Sequence, residues 1–310
     1  MKYKKRRFIP GECMHIYQRT VNGFNIFYDL EDFLVFYTIF SVISGLYGIR
    51  ILQLCMMIDH VHTLISSASL SEISAFMRHY SSLFVMEYNN DVGRHGQLFH
   101  KSFGSAPKKG AKKIRSAIVY IGNNPVEKML CGSASEYRWN FLAYIDDRHP
   151  FSERKSINRC SFRLKKALKE VKRQVVSKSY LTYSFLRRVF DGLDHRDREY
   201  LTDFIIAEYY PFDNDALLSF YESKEDMFHA MRSTAGSDYD IREKYYAGSD
   251  TVYREMFAFM RSSADVTPVR RTIILSAEEK MEIVGRMRPY IDASMSQFAK
   301  FMHLRINPKV

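Results

Sequence analysis

Polar and apolar positions alternate along residues 13–20, and that period of two predicts a strand. Asn22-Gly23 marks a turn, and a short extended stretch follows. Asp29 then reads as the N-cap of a helix over 30–46, with Asp32 adding favourable charge to its first turn. The apolar run from 33 to 45 is too short to cross a bilayer and reads as a buried helix, ended by Gly48. Residues 49–57 are apolar and β-rich, Asp59 marks a turn, and 60–66 is a second strand, so the pair forms a hairpin. Ser69 or Ser71 caps a long amphipathic helix to about Tyr88, with Ile73, Phe76, Phe84 and Val85 on its apolar side. Asn89-Asn90-Asp91 ends it. Residues 98–103 read as a fourth strand, 104–113 as a loop rich in Gly, Pro and Lys, and 114–122 as a helix with Ala117, Ile118 and Ile121 inward.

The order β-α-β-β-α-β plus one helix predicts an α+β fold. It is a ferredoxin-like antiparallel sheet with helices on one face. The other face needs a cover, either another element or a ligand.

The pattern changes near Pro150. Residues 154–178 hold ten Lys or Arg and one acid, Glu170, while Leu164, Leu168, Val171 and Val175 recur at helical spacing, which makes a basic amphipathic helix. The remainder reads as helical, in runs at 179–191, 196–209, 215–231, 251–262, 277–289 and 294–303. We therefore expect two domains, 1–150 and a basic α-helical 151–310. Ser276 and Glu279 form a capping box. Residues 276–304 suit either a degenerate helix-turn-helix or an ordinary terminal helical hairpin.

Composition narrows the partners. The net charge of +11 favours polyanions, nucleic acid ahead of an anionic membrane. The four cysteines, at 13, 55, 131 and 160, lack CxxC spacing, so free thiols in a reducing cytosol are expected rather than a zinc knuckle or disulfide framework. The basic start has no apolar stretch of the signal-peptide kind, and the expected location is the cytoplasm, without a membrane partner. Arg6 and Arg7, with Lys4 and Lys5, form either a DNA-contacting arm or a solvated tail.

The candidate chemistry gathers around His60-Val61-His62. Residues i and i+2 of a strand share a face, so the two imidazoles can share a metal ion while Val61 points away. The same pair can also be ordinary half-buried residues. Tyr120 ends the helix before Asn123-Asn124-Pro125. Lys113, two turns back, and Asn124, one turn on, lie on its helical face. Asn124 is a candidate metal ligand, or the N-cap of a next helix begun by Pro125. Lys108, Lys109, Lys112 and Lys113, just before the tyrosine helix, suit phosphate contacts, which would make binding salt-dependent. Phe99 and Phe103 either stack on bases or pack the sheet.

Three segments carry a family likeness: LQLCMMIDHVHTLI (52–65), GQLFHKSFGSAP (96–107) and IRSAIVYIGNNPVEKML (114–130). Over residues 6–150 the chain resembles the REP-associated tyrosine transposases, a branch of the HUH single-tyrosine transposases. The resemblance implies a ferredoxin-like catalytic domain acting on single-stranded or hairpin DNA. It implies Tyr120 as nucleophile and His60 and His62 as ligands of Mg²⁺ or Mn²⁺. Attack on a phosphodiester would leave a 5′-phosphotyrosine and a free 3′-hydroxyl, and the reverse step would rejoin DNA. Relatives often carry Asn where Asp59 stands and a polar residue where Gly122 stands, so the third ligand stays open, with Asn124 as candidate. The alternatives are a non-catalytic hairpin-binding or regulatory derivative and an RNA-binding or structural module. A monomer and a homodimer both fit.

Overall fold

The computed structural model describes residues 6–100, 102–235, 249–262 and 269–305; Lys4 and Lys5 lie outside these. Strands β1 (Cys13–Arg19), β2 (Arg50–Met56), β3 (His60–Ser66) and β4 (Gly104–Lys108) form one antiparallel sheet in the order β2-β3-β1-β4. Helices α1 (Leu30–Leu46) and α2 (Leu70–Val92) connect them, and α3 (Gly110–Glu127) follows β4 after one residue, Lys109. This is the expected α+β, ferredoxin-like arrangement, followed by a helical C-terminal region.

Helix α1 begins where the caps place it. The Asp32 carboxylate accepts from the Tyr28 and Asp29 backbone N–H groups, closing a capping box. Its Leu34, Val35, Phe36, Tyr37, Ile39 and Phe40 are all fully buried, as befits a helix that is apolar all round. Helix α2 packs along it, and on another side lie α5 (Tyr183–Phe190) and α6 (His195–Glu208). The Tyr37 hydroxyl donates to the Ile206 carbonyl at 2.9 Å. One apolar core thus runs from β1 and α1 through α4 (Phe162–Val176), α5 and α6 to α11 (Met295–Met302).

A second, smaller core lies on the other face of the sheet. There Ile114, Ala117, Ile118 and Ile121 of α3 pack on Cys13, Leu52, Cys55 and Leu64. The cover of that face is therefore α3 itself.

The expected fourth strand is displaced. Leu98 and Phe99 are buried in the larger core, and Phe99 makes only an isolated bridge to Thr20. The ladder to β1 is formed by Gly104–Lys108, which reads as loop. Pro107 is tolerated because β4 is an edge strand. Helix α3 starts earlier than its periodicity suggests, at Gly110, whose φ of +77° makes the reversal out of β4. The basic helix is shorter than expected, because residues 157–159 form a separate 3-10 turn ahead of α4. The run 215–231 divides into α7 (Asn214–Leu218) and α8 (Lys224–Thr234). Among the described residues no helix is long and apolar enough to cross a membrane.

Helix α11 ends at His303, in the left-handed conformation at φ +53°. His303 stacks on Phe24 with ring centroids 4.6 Å apart and bonds the Asn25 carbonyl. Burial lowers its pKa to about 4. The unfolded chain protonates this histidine below about pH 6.5, so its stabilisation is whole above that pH and is lost as the pH falls towards 4. Thermal unfolding should show stability falling over that interval, with His303 accounting for up to about 3 kcal/mol. His303→Asn, which suits a left-handed cap, should flatten the slope. An unchanged slope would remove His303 from the acid response.

Candidate active site

The site begins with alternation along β1. Cys13, His15, Tyr17 and Arg19 share one face, and Met14, Ile16 and Gln18 the other. Antiparallel pairing sets Tyr17 opposite His62 and Arg19 opposite His60, and across β4 Tyr17 faces Gly104. Val61 points into the larger core. The two histidines thus share the face that α3 crosses, with rings perpendicular and centroids 4.9 Å apart. Gly104 is required there, because a Cβ would lie 1.9 Å from the Tyr17 ring. That ring therefore lies flat across β4.

Tyr120 reaches the same spot from α3. Its ring meets His62 edge-on at 5.4 Å and His15 at 5.7 Å. His15 stacks on His62, with Nε2 3.1 Å from His62 Nδ1. His60 Nδ1 lies 2.6 Å from Asp59 Oδ1. Each histidine of the pair has Nδ1 engaged by a neighbour, which directs Nε2 as the nitrogen for a ligand. Burial, with His60, His15 and Arg19 nearby, holds the His62 imidazole well below its usual range. Burial and Lys108 take His15 down to about 3. Both rings are therefore neutral near neutral pH, the form in which imidazole binds a metal.

The donor set suits a divalent ion only in part. Among the described residues no group of three or more His, Cys, Asp or Glu is placed to hold a metal. The histidine pair supplies two nitrogens, and further ligands would be amide, water or phosphate oxygens.

Residues 14–124 match the family model described as transposase IS200 like. That span holds the four-stranded sheet, α1, α2 and most of α3. The solved structure of a REP-associated tyrosine transposase bound to a REP hairpin is similar at 14% identity and a TM-score of 0.41, covering 52% of this chain and 96% of that one. No curated protein matches the chain.

The fold brings His60, His62 and Tyr120 together, and it places the other candidates variously. Asn124 is not the cap of a new helix. Helix α3 continues through Pro125 to Glu127, and the Asn124 amide donates to the Tyr120 carbonyl at 3.2 Å. Pro125, lacking an N–H, leaves the Ile121 carbonyl without its usual helical donor. Lys109, Lys112 and Lys113 are exposed at the start of α3, whereas Lys108 is buried at the end of β4. Arg7 is exposed. Arg6 donates to the Phe103 carbonyl at 3.1 Å and lies over the Phe103 ring. Phe99 packs against Phe36 and Phe84 inside the core, away from any base.

Gly122 lies close to the C-terminal region. A Cβ there would meet Met231 of α8 at 2.7 Å, and Asn123 donates to the Met231 carbonyl. That side of α3 is covered by the C-terminal region. His15, Tyr17 and Arg19 were missed as site residues, although the alternation of β1 puts all three on the face of its partner strand. Asp59 stood out as a turn residue and as a departure from relatives, not as a partner of His60. Lys300, which bonds Asp59, gives no local signal at all.

Proposed function

We propose that the chain is an IS200-like transposase that cuts and rejoins single-stranded DNA, and that Tyr120 is its nucleophile. The observation that carries this reading is the Tyr120 ring packed edge-on to His62, on the face bearing the His60–His62 pair. His60 and His62 would hold Mg²⁺ or Mn²⁺ through Nε2, with Asn124 a candidate for a further oxygen. When bound, the ion supplies Lewis-acid polarisation of a phosphate oxygen. The Tyr120 oxygen attacks phosphorus as its proton passes to solvent. The bond to the 3′-oxygen breaks, and that oxygen takes up a proton. The product is a 5′-phosphotyrosine, and attack by another 3′-hydroxyl reverses the step and restores the phenol. Arg19, on the face of His60, and the exposed Lys109, Lys112 and Lys113 supply positive charge for the DNA backbone. The motif resemblance implies hairpin DNA as substrate, and the absence of a signal-peptide pattern at the basic start leads us to expect the cytoplasm as the place where it is met.

The test is incubation with labelled DNA hairpins bearing single-stranded flanks, with Mn²⁺, followed by a denaturing gel. A covalent protein–DNA band that a chelator abolishes is expected. A band that survives metal removal would overturn the metal dependence. Tight hairpin binding without any band, at every metal concentration, would make the protein a non-catalytic DNA-binding derivative.

A further inference from the structure

His60 is the first residue of β3, at the mouth of a turn, where the sheet alone does little to fix its ring. Asp59, in that turn, divides its two oxygens. Oδ1 takes the His60 Nδ1 at 2.6 Å, and Oδ2 takes the Lys300 Nζ at 2.7 Å. All three side chains are largely covered, at 14% exposure for His60, 17% for Asp59 and 26% for Lys300. The contact is therefore shielded from solvent in a way that surface ion pairs are not.

Lys300 comes from α11, near the far end of the chain, and its position is held on several sides. Phe298, Phe301 and Met302 of the same helix are buried in the core. The Lys300 carbonyl accepts from the Asn25 N–H at 3.3 Å, and the Tyr28 hydroxyl donates to the Phe301 carbonyl. The Lys300 Nζ lies 5.1 Å from the centre of the Tyr253 ring, on α9 (Thr251–Ser262). A cation fixed this firmly leaves the Asp59 carboxylate one stable orientation. That orientation accepts Nδ1–H from His60 and leaves Nε2 with its lone pair, the tautomer a metal ligand needs.

We propose that Asp59 and Lys300 are positioning residues for His60, so that the C-terminal helix forms part of the support of the metal-binding pair. This rests on the proposed reading of His60 and His62 as ligands. The contact explains why an acid stands at position 59. An amide there would bond the imidazole without drawing in a lysine.

The experiment uses the full chain in wild-type, Asp59→Asn, Lys300→Met and Lys300→Arg forms. Mn²⁺ affinity is measured from the free-ion magnetic resonance signal, and the His60 tautomer by nitrogen NMR of the imidazole without metal. Melting temperature and circular dichroism follow the fold. The expected results are Nδ1–H on His60 in the wild type and loss of about 10- to 100-fold in Mn²⁺ affinity for Asp59→Asn. Lys300→Met should lose about tenfold, and Lys300→Arg should recover to within about threefold. The double variant Asp59→Asn with Lys300→Met should bind no more weakly than Asp59→Asn alone. Wild-type affinity and an unchanged tautomer in folded Lys300→Met would make Lys300 merely structural. The same result in Asp59→Asn would overturn the whole proposal. If Lys300→Met does not fold, Asp59→Asn, which spares the apolar anchors of α11, decides. A wild type that binds no Mn²⁺ sinks the metal reading itself, and the tautomer then decides separately whether Asp59 and Lys300 orient His60.

Discussion

Tyr120→Phe should keep the fold and lose the covalent DNA adduct, with strand cleavage falling by roughly four to six orders of magnitude, the scale seen when a nucleophile is removed. The ring would keep its edge contacts with His62 and His15, because these involve carbon atoms as much as the hydroxyl. The melting temperature should therefore move by no more than about 2 °C, within the range of a single peripheral group. A denaturing gel reads the adduct and a thermal scan reads the fold. An adduct persisting in Tyr120→Phe would move the nucleophile elsewhere. Tyr17 would be the first suspect, since its ring lies 6.4 Å from His62 on the same face.

The largest stability effect is expected at Arg270, whose side chain is 2% exposed. Its guanidinium meets Asp32 of α1 at 3.1 Å and Asp91 of α2 at 2.6 Å, and lies 4.2 Å from the centre of the Tyr183 ring. The Tyr183 hydroxyl donates to the same Asp32 oxygen. Burial pushes the Asp32 carboxyl up to about 7, and Arg270 opposes that push. Arg270→Met leaves a buried carboxylate without its cation, which costs about 3–5 kcal/mol. At about 2–4 °C per kcal/mol, the melting temperature should drop by about 6–20 °C. A loss below about 1 kcal/mol would mean that Asp32 is satisfied by its backbone donors and Tyr183 alone.

The sequence made some of this legible for local reasons. The bounds of α1 follow from Asp29, Asp32 and an unbroken apolar run, all of which act within one helix. The histidine pair and its shared face follow from the period of a strand, and Tyr120 from the motif that surrounds it. Strand β4 was misplaced because Leu98 and Phe99 look like strand residues yet serve the core. GSAPK has little strand propensity and pairs through its backbone. The cap reading of Asn124 failed because Pro125 usually starts or ends a helix, and here it sits inside one, in the last turn. Lys300 beside Asp59 and Met231 beside Gly122 join opposite parts of the chain. No local pattern encodes such a meeting, which depends on where the C-terminal helices dock.

The link between β4 and α3 is Lys109 alone, with Gly110 making the turn. So short a tether folds the helix back over its own sheet, and Tyr120 meets the histidines of its own chain. The local concentration of the phenol at the pair is then set by covalent connection and not by how much protein is in solution. Bringing these side chains together is a first-order event, complete once the chain has folded, and diluting the protein does not undo it.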